Sequence, residues 1–218
     1  MGRMSFPVTL ILCCATGFLC GSVPFGYFAG RLKGMDIRQH GSGNIGATNV
    51  IRVCGKGIGI PVFILDMGKG LLPVLIARWW MAGLGTGATL LSAAAVGAGL
   101  AAVLGHMFTP WLGFKGGKGV ATAAGVLLGI APLPMLVALA AWLFFFFVTR
   151  YVSLASMAAA VAVPATMAAQ MVRTHRWDWV LLGFGLLLGL LVIVRHRANI
   201  ERLMAGTENR GGRREKAM

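Results

Sequence analysis

The sequence predicts an all-α polytopic membrane protein with seven transmembrane helices. Of its 218 residues, 57% are hydrophobic and only 12% are charged, and the mean hydropathy is +0.79. This apolar share is well above that of soluble globular domains. Apolar runs long enough to cross a bilayer recur along most of the chain, and the basic residues gather in alternate connecting segments.

The apolar runs give seven spans when the longest run is divided in two. One apolar run is too long, because a helix over 119–149 would measure roughly 46 Å at ~1.5 Å per residue, against a ~30 Å hydrocarbon core. Pro132 and Pro134 lie in its middle, where proline removes a backbone donor and disfavours helix before it. We therefore predict two shorter spans there, 119–131 and 133–149. The remaining candidate spans are 5–30, 58–82, 87–108, 153–172 and 177–194.

Charge then sets the orientation. Seven spans with the N-terminus outside and the C-terminus in the cytoplasm put most of the lysines and arginines on one side, as positive-inside topology requires. Six spans would place the basic end of the chain opposite the basic first loop. The predicted cytoplasmic segments are 31–57, 109–118, 150–152 and 195–218. We predict one membrane domain, 1–208, and a basic cytoplasmic tail, 209–218, that is attracted to anionic lipid headgroups.

Composition also excludes several classes of function. The formal net charge of +14 comes without the soluble, aromatic-bearing platform that nucleic-acid binding needs. The six acidic residues do not cluster, so we expect no metal and no cofactor. Gly41, Gly43 and Gly46 match the spacing of a dinucleotide fingerprint, but the residues before them do not form a hydrophobic strand.

Two predicted cytoplasmic segments carry the residue types that bind phosphate. The stretch HGSGNIGATNVIR (40–52) combines glycines, which allow backbone N–H groups to converge on an anion, with neutral side-chain donors and an arginine. The stretch GFKGGKGVAT has two lysines but not the spacing of a Walker A loop, and it could equally be a turn at a lipid surface. The candidate binding residues are Ser42, Gly43, Asn44, Thr48, Asn49, Arg52, Lys115 and Lys118.

Further polar residues lie within or next to predicted spans. Asp66 and Lys69 are three residues apart on one helical face, either as a structural pair or with Asp66 aiming Lys69 at an anion. His106 is as well explained by a helix end as by a site. Ser153 lacks the surroundings of a nucleophile and suits hydrogen bonding, whereas His196 and Asn199 share a helical face at the predicted cytoplasmic surface.

Together these stretches resemble the successive motifs of the bacterial PlsY family, the acyl-phosphate:glycerol-3-phosphate acyltransferases. Their order and spacing match along nearly the whole chain, and the basic tail after Glu208 falls outside the resemblance. The motifs are GSVPFGY, DIRQHGSGNIGATNVIR, LDMGKG, GHMFTPWLGFKGGKGVAT, YVSLAS and RHRANIERLMAGTE.

The resemblance implies a multi-pass enzyme of the bacterial inner membrane whose motifs face the cytoplasm. It implies transfer of a fatty acyl group from acyl phosphate to the sn-1 hydroxyl of glycerol 3-phosphate, which yields lysophosphatidic acid and inorganic phosphate and opens phospholipid synthesis. The expected partners are these two substrates and membrane lipid, with a soluble acyl-phosphate synthase as a further candidate.

On this basis we assign the residues to two phosphates. The head of acyl phosphate is expected at Ser42, Gly43, Asn44, Thr48 and Asn49. Glycerol 3-phosphate is expected at Arg52, Lys69, Lys118, Ser153, His196 and Asn199, with Lys115 helping either anion. The catalytic candidates are His196, Ser153, Lys118 and Arg52, and the proton of the hydroxyl goes to His196 or to a substrate phosphate oxygen.

An organophosphate or phosphate transporter is the alternative function. Such a protein also needs cations within the membrane, but its anion site lies near the midplane between repeated halves. In this sequence the glycines and cations gather at one predicted face, and no internal repeat is visible.

Overall fold

The structure, a computed structural model, describes residues 6–211, and these form helices and connecting loops without a strand. The chain divides into two compact units, residues 6–130 and residues 131–211 of the described range. Two short 3-10 turns, Ile37–Gln39 and Pro110–Leu112, lie in loops. The α-helices are α1 (Phe6–Ser22), α2 (Phe25–Leu32), α3 (Ala47–Cys54), α4 (Lys56–Gly83), α5 (Ala88–Met107), α6 (Val120–Ile130), α7 (Pro132–Thr149), α8 (Val152–Thr174), α9 (Trp179–Arg195) and α10 (Arg197–Met204).

The predicted break near Pro132 is confirmed. Helix α6 ends at Ile130, and Pro132 begins α7 at the first helical position, where the missing N–H of proline costs nothing. The 11 residues of α6 extend only about 16 Å, so this helix alone does not cross a ~30 Å core.

Several helices are long and apolar enough to cross a membrane, which confirms a multi-pass membrane protein. Within residues 6–211 there are five such spans, or six when α9 and α10, which meet at a bend of 55°, count as one. In this count α1 and α2 form a single span, Phe6–Leu32. The predicted total of seven therefore depends on how α6 is counted, and it stays a prediction, as does the orientation of the termini.

In the first unit, α1 packs against α5 through small residues. Gly17 lies against the carbonyl of Ala98, and Gly21 lies against that of Ala102, so close that a Cβ on either glycine would overlap the backbone. Such small residues allow helix backbones in membranes to approach closely. Because the residue numbers rise together on both sides of the contact, α1 and α5 run in the same direction.

Helix α6 packs parallel to α4. Gly70 of α4 faces the Thr122 carbonyl, and Gly129 of α6 faces Val74 farther along. The start of α6 therefore lies about three helical turns beyond the start of α4, near the middle of that long helix. At its other end, an Arg78 guanidinium N–H donates to the Gly129 carbonyl at 3.1 Å, which satisfies a carbonyl in the last turn of α6.

The second unit is an antiparallel arrangement of α7, α8 and α9. Arg150, with φ of +63°, turns the chain between α7 and α8, and Trp142 Nε1 donates to Ser156 Oγ at 3.2 Å. Gly189 of α9 lies close to the Ala160 carbonyl of α8.

The last described residues pack against the start of α8. The Gly211 N–H donates to the Arg150 carbonyl at 2.7 Å, and the Arg210 guanidinium lies over the Tyr151 ring, 5.5 Å from its centroid. The predicted tail, 209–218, thus begins with anchored residues. Its remainder, 212–218, does not belong to the part of the chain that the structure describes.

Candidate active site

The first glycine-rich loop is held in shape by Asn49. This side chain is buried, and its Oδ1 accepts the Ser42 N–H at 2.9 Å, while its Nδ2 donates to the carbonyls of Ile37 and His40 at 3.3 and 3.0 Å. Gly41 and Gly43 have φ of +60° and +68°, which glycine adopts readily. The Asn49 amide therefore shapes the loop, and its direct contact with phosphate stays a prediction.

The other predicted groups of this loop differ in their availability. Asn44 Oδ1 accepts the Gly46 N–H at 2.7 Å, so this oxygen also serves the turn. Thr48 and Arg52 are four residues apart on α3 and share its face. Within residues 6–211, the side chains of Ser42, Thr48 and Arg52 form no hydrogen bond or ion pair. These three are donors that a ligand can use.

The glycine-lysine segment 115–119 folds back on the end of α5. The Gly116 N–H donates to the Met107 carbonyl and the Gly117 N–H donates to the His106 carbonyl, both at 3.1 Å. These two N–H groups are therefore not available to an anion. The side chain of Lys115 is exposed and that of Lys118 is half-buried.

The predicted pair in α4 is present. Lys69 Nζ lies 2.7 Å from Asp66 Oδ1 and donates to the Val23 carbonyl at 2.7 Å. Asp66 Oδ1 also lies 3.7 Å from Nδ1 of His106. All three side chains are buried. The geometry matches the structural alternative for this pair, and direct contact of Lys69 with a phosphate stays a prediction.

In the second unit, the Glu208 carboxylate forms hydrogen bonds with two of the predicted site residues and with Arg202. Its carboxylate accepts hydrogen bonds from Ser153 Oγ at 2.7 Å and from Asn199 Nδ2 at 2.6 Å. Arg202 Nε donates to its other oxygen at 2.8 Å. Glu208 is not among the predicted site residues, although it closes the last motif and is one of only six acidic residues in the chain.

His196 lies at the bend between α9 and α10. Its side chain is buried, with 3% exposure for the residue, and its Nδ1 is 2.7 Å from the Val192 carbonyl. Because a carbonyl only accepts, Nδ1 carries the proton, and Nε2 is then the basic nitrogen of the neutral ring. His196 and Asn199 are joined by the hydrogen bond from the Asn199 N–H to the His196 carbonyl at 2.8 Å.

The charge of Glu208 makes the stability of the second unit depend on pH. Burial raises the pKa of this carboxyl, but the hydrogen bonds from Ser153 and Asn199 and the contact with Arg202 outweigh burial and lower it overall. A lowered folded-state pKa contributes stability above the unfolded pKa, and this stability is lost as pH falls through the folded value. We expect the melting temperature in detergent to decrease as the pH is lowered below about 4.3, the ordinary pKa of glutamate.

The matched variants are Glu208→Gln and Glu201→Gln. Glu208→Gln should melt earlier than wild type at pH 7 and lose part of the acid dependence. Glu201 makes an exposed pair with Arg197, and such pairs contribute little, so Glu201→Gln should follow the wild-type curve. Identical curves for all three proteins would contradict the role of Glu208.

No group of three or more His, Cys, Asp or Glu side chains that could hold a metal ion occurs among the described residues. Apart from the carboxylates of Asp66 and Glu208, these segments supply hydrogen-bond donors, cations and two buried histidines, His106 and His196. Such groups bind phosphate and stabilise charge that develops during acyl transfer.

Comparison with known proteins agrees with this chemistry. The profile of the family described as glycerol-3-phosphate acyltransferase matches residues 11–206. A glycerol-3-phosphate acyltransferase of Geobacter sulfurreducens is 48% identical over 202 residues, covering 90% of this chain and 94% of the relative. One from Synechococcus sp. is 45% identical and covers 95% of this chain and 98% of the relative.

Solved structures show the same fold. The crystal structure of PlsY, an integral membrane glycerol 3-phosphate acyltransferase, in its glycerol 3-phosphate form has a TM-score of 0.80 and 41% identity and covers 93% of this chain and 96% of that chain. The lysophosphatidic acid form of PlsY has a TM-score of 0.78 and the same identity. The match spans nearly the whole of each protein, and the chain therefore belongs to the PlsY family of integral membrane glycerol-3-phosphate acyltransferases.

Proposed function

We propose that this protein transfers a fatty acyl group from acyl phosphate to the sn-1 hydroxyl of glycerol 3-phosphate, without a metal. The products are lysophosphatidic acid and inorganic phosphate, and the reaction serves phospholipid synthesis. The observation that carries the proposal is a set of side-chain donors on the first loop and α3. The side chains of Ser42, Thr48 and Arg52 have no hydrogen bond or ion pair within residues 6–211. The PlsY structures in glycerol 3-phosphate and lysophosphatidic acid forms support this choice of acceptor and product.

The choice of donor follows from the chemistry that the residues can supply. Acyl phosphate is a mixed anhydride with a good leaving group, so its reaction depends on alignment and charge neutralisation. We assign its phosphate head to the loop, where Ser42 and Thr48 contact the anion and Asn44 and Asn49 hold the loop in shape. Gly43 remains a predicted contact, although its N–H already donates to the His40 carbonyl at 3.0 Å. The donor comes from the membrane or from a soluble acyl-phosphate synthase.

Glycerol 3-phosphate is assigned to the predicted cations and polar groups. Arg52 and Lys118 neutralise its phosphate by charge-assisted hydrogen bonds, and Lys115 assists either anion. Ser153, His196 and Asn199 belong to the second unit. Lys69 remains the sixth predicted contact, although its ammonium already has two partners.

In the reaction, the sn-1 hydroxyl oxygen attacks the acyl carbonyl carbon and forms the new ester bond. The bond between that carbon and the phosphate oxygen breaks, and phosphate leaves with the electron pair. The hydroxyl proton goes to Nε2 of His196 or to a substrate phosphate oxygen.

We further propose the topology that this reaction requires. The N-terminus lies outside, and the substrate-binding residues and the C-terminus lie in the cytoplasm of a bacterial cell with the enzyme in its inner membrane. When the short helix α6 is counted as a membrane segment, the total is seven. Its parallel packing with α4, and that of α1 with α5, support this order of alternating directions. The membrane domain covers 1–208 and the basic tail 209–218.

Ser153 is expected to act without forming an acyl-enzyme. Its hydroxyl donates to Glu208, but three donors lower the pKa of that carboxyl and make it a weak base. We expect intact-protein mass spectrometry after brief incubation with acyl phosphate alone to show no added acyl mass. An acyl adduct that is absent in Ser153→Ala would instead establish covalent catalysis.

The function itself is tested by product analysis. Purified protein in lipid, supplied with acyl phosphate and glycerol 3-phosphate, should release one phosphate for each 1-acylglycerol 3-phosphate formed, and a chelator should not slow the reaction. Product acylated at the other hydroxyl would contradict the proposed position, and loss of activity with the chelator that an added divalent metal restores would contradict the metal-free mechanism.

A further inference from the structure

Three buried polar side chains meet where α4 passes the end of α5. Asp66, Lys69 and His106 have exposures of 2%, 6% and 4%. Ionisable side chains within membrane-spanning helices are costly and occur where they pair or serve a function. Breaking a buried ion pair by removing one partner leaves an uncompensated charge. This cluster therefore requires an explanation beyond helix packing.

Lys69 joins α4 to the break between α1 and α2. Helix α1 ends at Ser22 and α2 begins at Phe25, so the Val23 carbonyl lies in the break, where it accepts the Phe25 N–H at 3.2 Å. Lys69 Nζ donates to the same carbonyl at 2.7 Å and lies 5.5 Å from the centroid of the Phe25 ring. Its charge is balanced by Asp66 at 2.7 Å.

Asp66 also lies close to the His106 ring. The carboxylate lies 3.7 Å from the histidine Nδ1, and the opposite edge of the ring lies directly against Gly117, where an added Cβ would overlap Nε2. The Gly117 N–H donates to the His106 carbonyl at 3.1 Å. The position of the ring thus sets the position of Gly117.

Gly117 stands between the two lysines of segment 115–119. The backbone has a positive φ at Gly119 (+78°), and a Cβ at Gly116 would overlap the His106 carbonyl. The segment has little room to move toward α5. Any displacement of the His106 ring should therefore displace Lys115 and Lys118.

We propose that Asp66, Lys69 and His106 form a positioning cluster that fixes segment 115–119 for catalysis. In this proposal Lys69 acts through Asp66. Direct contact of Lys69 with the phosphate of glycerol 3-phosphate is the alternative. The inference rests on the proposed function of Lys115 and Lys118 in binding substrate phosphates.

The first test is a double-mutant cycle with Asp66→Asn and Lys69→Met. Either single change leaves a buried charge without its partner, so each should lower kcat/KM by at least about tenfold and lower the melting temperature. The double variant carries no charge at the pair. It should recover at least about tenfold over Lys69→Met, with a KM for glycerol 3-phosphate within about threefold of wild type.

The opposite result would show that Lys69 contacts substrate. In that case the double variant would be no more active than Lys69→Met, and its KM for glycerol 3-phosphate would be raised at a wild-type melting temperature. Activity is measured with whichever acyl donor the wild-type protein uses. Failure of the acyl-phosphate assignment would therefore appear in wild type and leave this comparison intact.

A second pair of variants tests the contact between His106 and the segment. Gly117→Ala should lower kcat/KM by at least about tenfold because its Cβ meets the ring, and His106→Ala should also lower it because the ring no longer holds the segment. The double variant should lose no more activity than Gly117→Ala alone, because the two changes act on one contact. Losses that multiply in the double variant would contradict the proposal. The matched control is Gly68→Ala in α4, where nothing lies within 4 Å of an added Cβ and alanine favours the helix, so its activity should equal that of wild type.

Discussion

Replacement of His196 by alanine is expected to lower kcat by about two to four orders of magnitude, the usual contribution of a positioned general base. The structure gives two reasons. The Val192 carbonyl fixes the proton on Nδ1, which leaves Nε2 to accept one, and the buried ring has a set orientation. The measurement is kcat and KM for glycerol 3-phosphate, determined separately in purified protein.

The control for this change is Arg197→Ala. Arg197 is the next residue, and its side chain is 86% exposed in a surface pair with Glu201, so its loss should alter kcat by less than about twofold. If His196→Ala instead raises KM as much as it lowers kcat, the imidazole positions the substrate. The proton then goes to a phosphate oxygen.

Replacement of Arg52 by glutamine is expected to raise the KM for glycerol 3-phosphate by about 10- to 150-fold. Hydrogen bonds to charged groups contribute about 1.5–3 kcal/mol, and about 1.4 kcal/mol corresponds to a factor of ten. Within residues 6–211, Arg52 has no carboxylate partner, so its charge is available to the substrate. Arg52→Lys should recover part of the affinity, because lysine keeps the charge but not the planar fork.

Arg38→Gln is the matched control for Arg52. Arg38 belongs to the same predicted cytoplasmic segment, but its guanidinium is already paired with Asp36, with the shortest N–O distance at 2.6 Å. That pairing is strong enough to lower the pKa of Asp36 to about 2. The KM of Arg38→Gln should stay within about threefold of wild type. An equal rise in both variants would mean that only the general positive charge of the segment matters.

Features with a local cause could be predicted from the sequence. The break between α6 and α7 follows from the chemistry of Pro132, and the pairing of Asp66 with Lys69 follows from their spacing on one helical turn. The tight turns at Gly41 and Gly43 follow from glycine itself. Each of these depends on residues close together in the chain.

Features that depend on tertiary contacts could not be predicted from the sequence. The Glu208 carboxylate accepts hydrogen bonds from Ser153, Asn199 and Arg202. The spacing of residues along the chain does not show that the segment after α10 returns to the start of α8. In the same way, the use of Gly116 and Gly117 N–H groups by α5 cannot be read from a Gly-Lys pattern. Whether α6 completes a crossing cannot be read from the sequence either, because apolar composition predicts immersion in the membrane and does not by itself predict a complete crossing.

Asn49 illustrates the intermediate case. Its residue type predicts a neutral hydrogen-bonding group, and asparagine commonly serves both ligands and turns. Burial and the three backbone partners reveal the role in the turn. Substrate binding therefore depends most on Ser42, Thr48 and Arg52, whose side chains have no hydrogen bond or ion pair within residues 6–211.

The most direct measurement is the formation of lysophosphatidic acid by the purified protein in lipid, with acyl phosphate, acyl-CoA and acyl-carrier protein supplied in parallel with glycerol 3-phosphate. Product from acyl phosphate alone is the predicted result. Product from either thioester but not from acyl phosphate would contradict the assigned donor and the catalysis by phosphate positioning that depends on it.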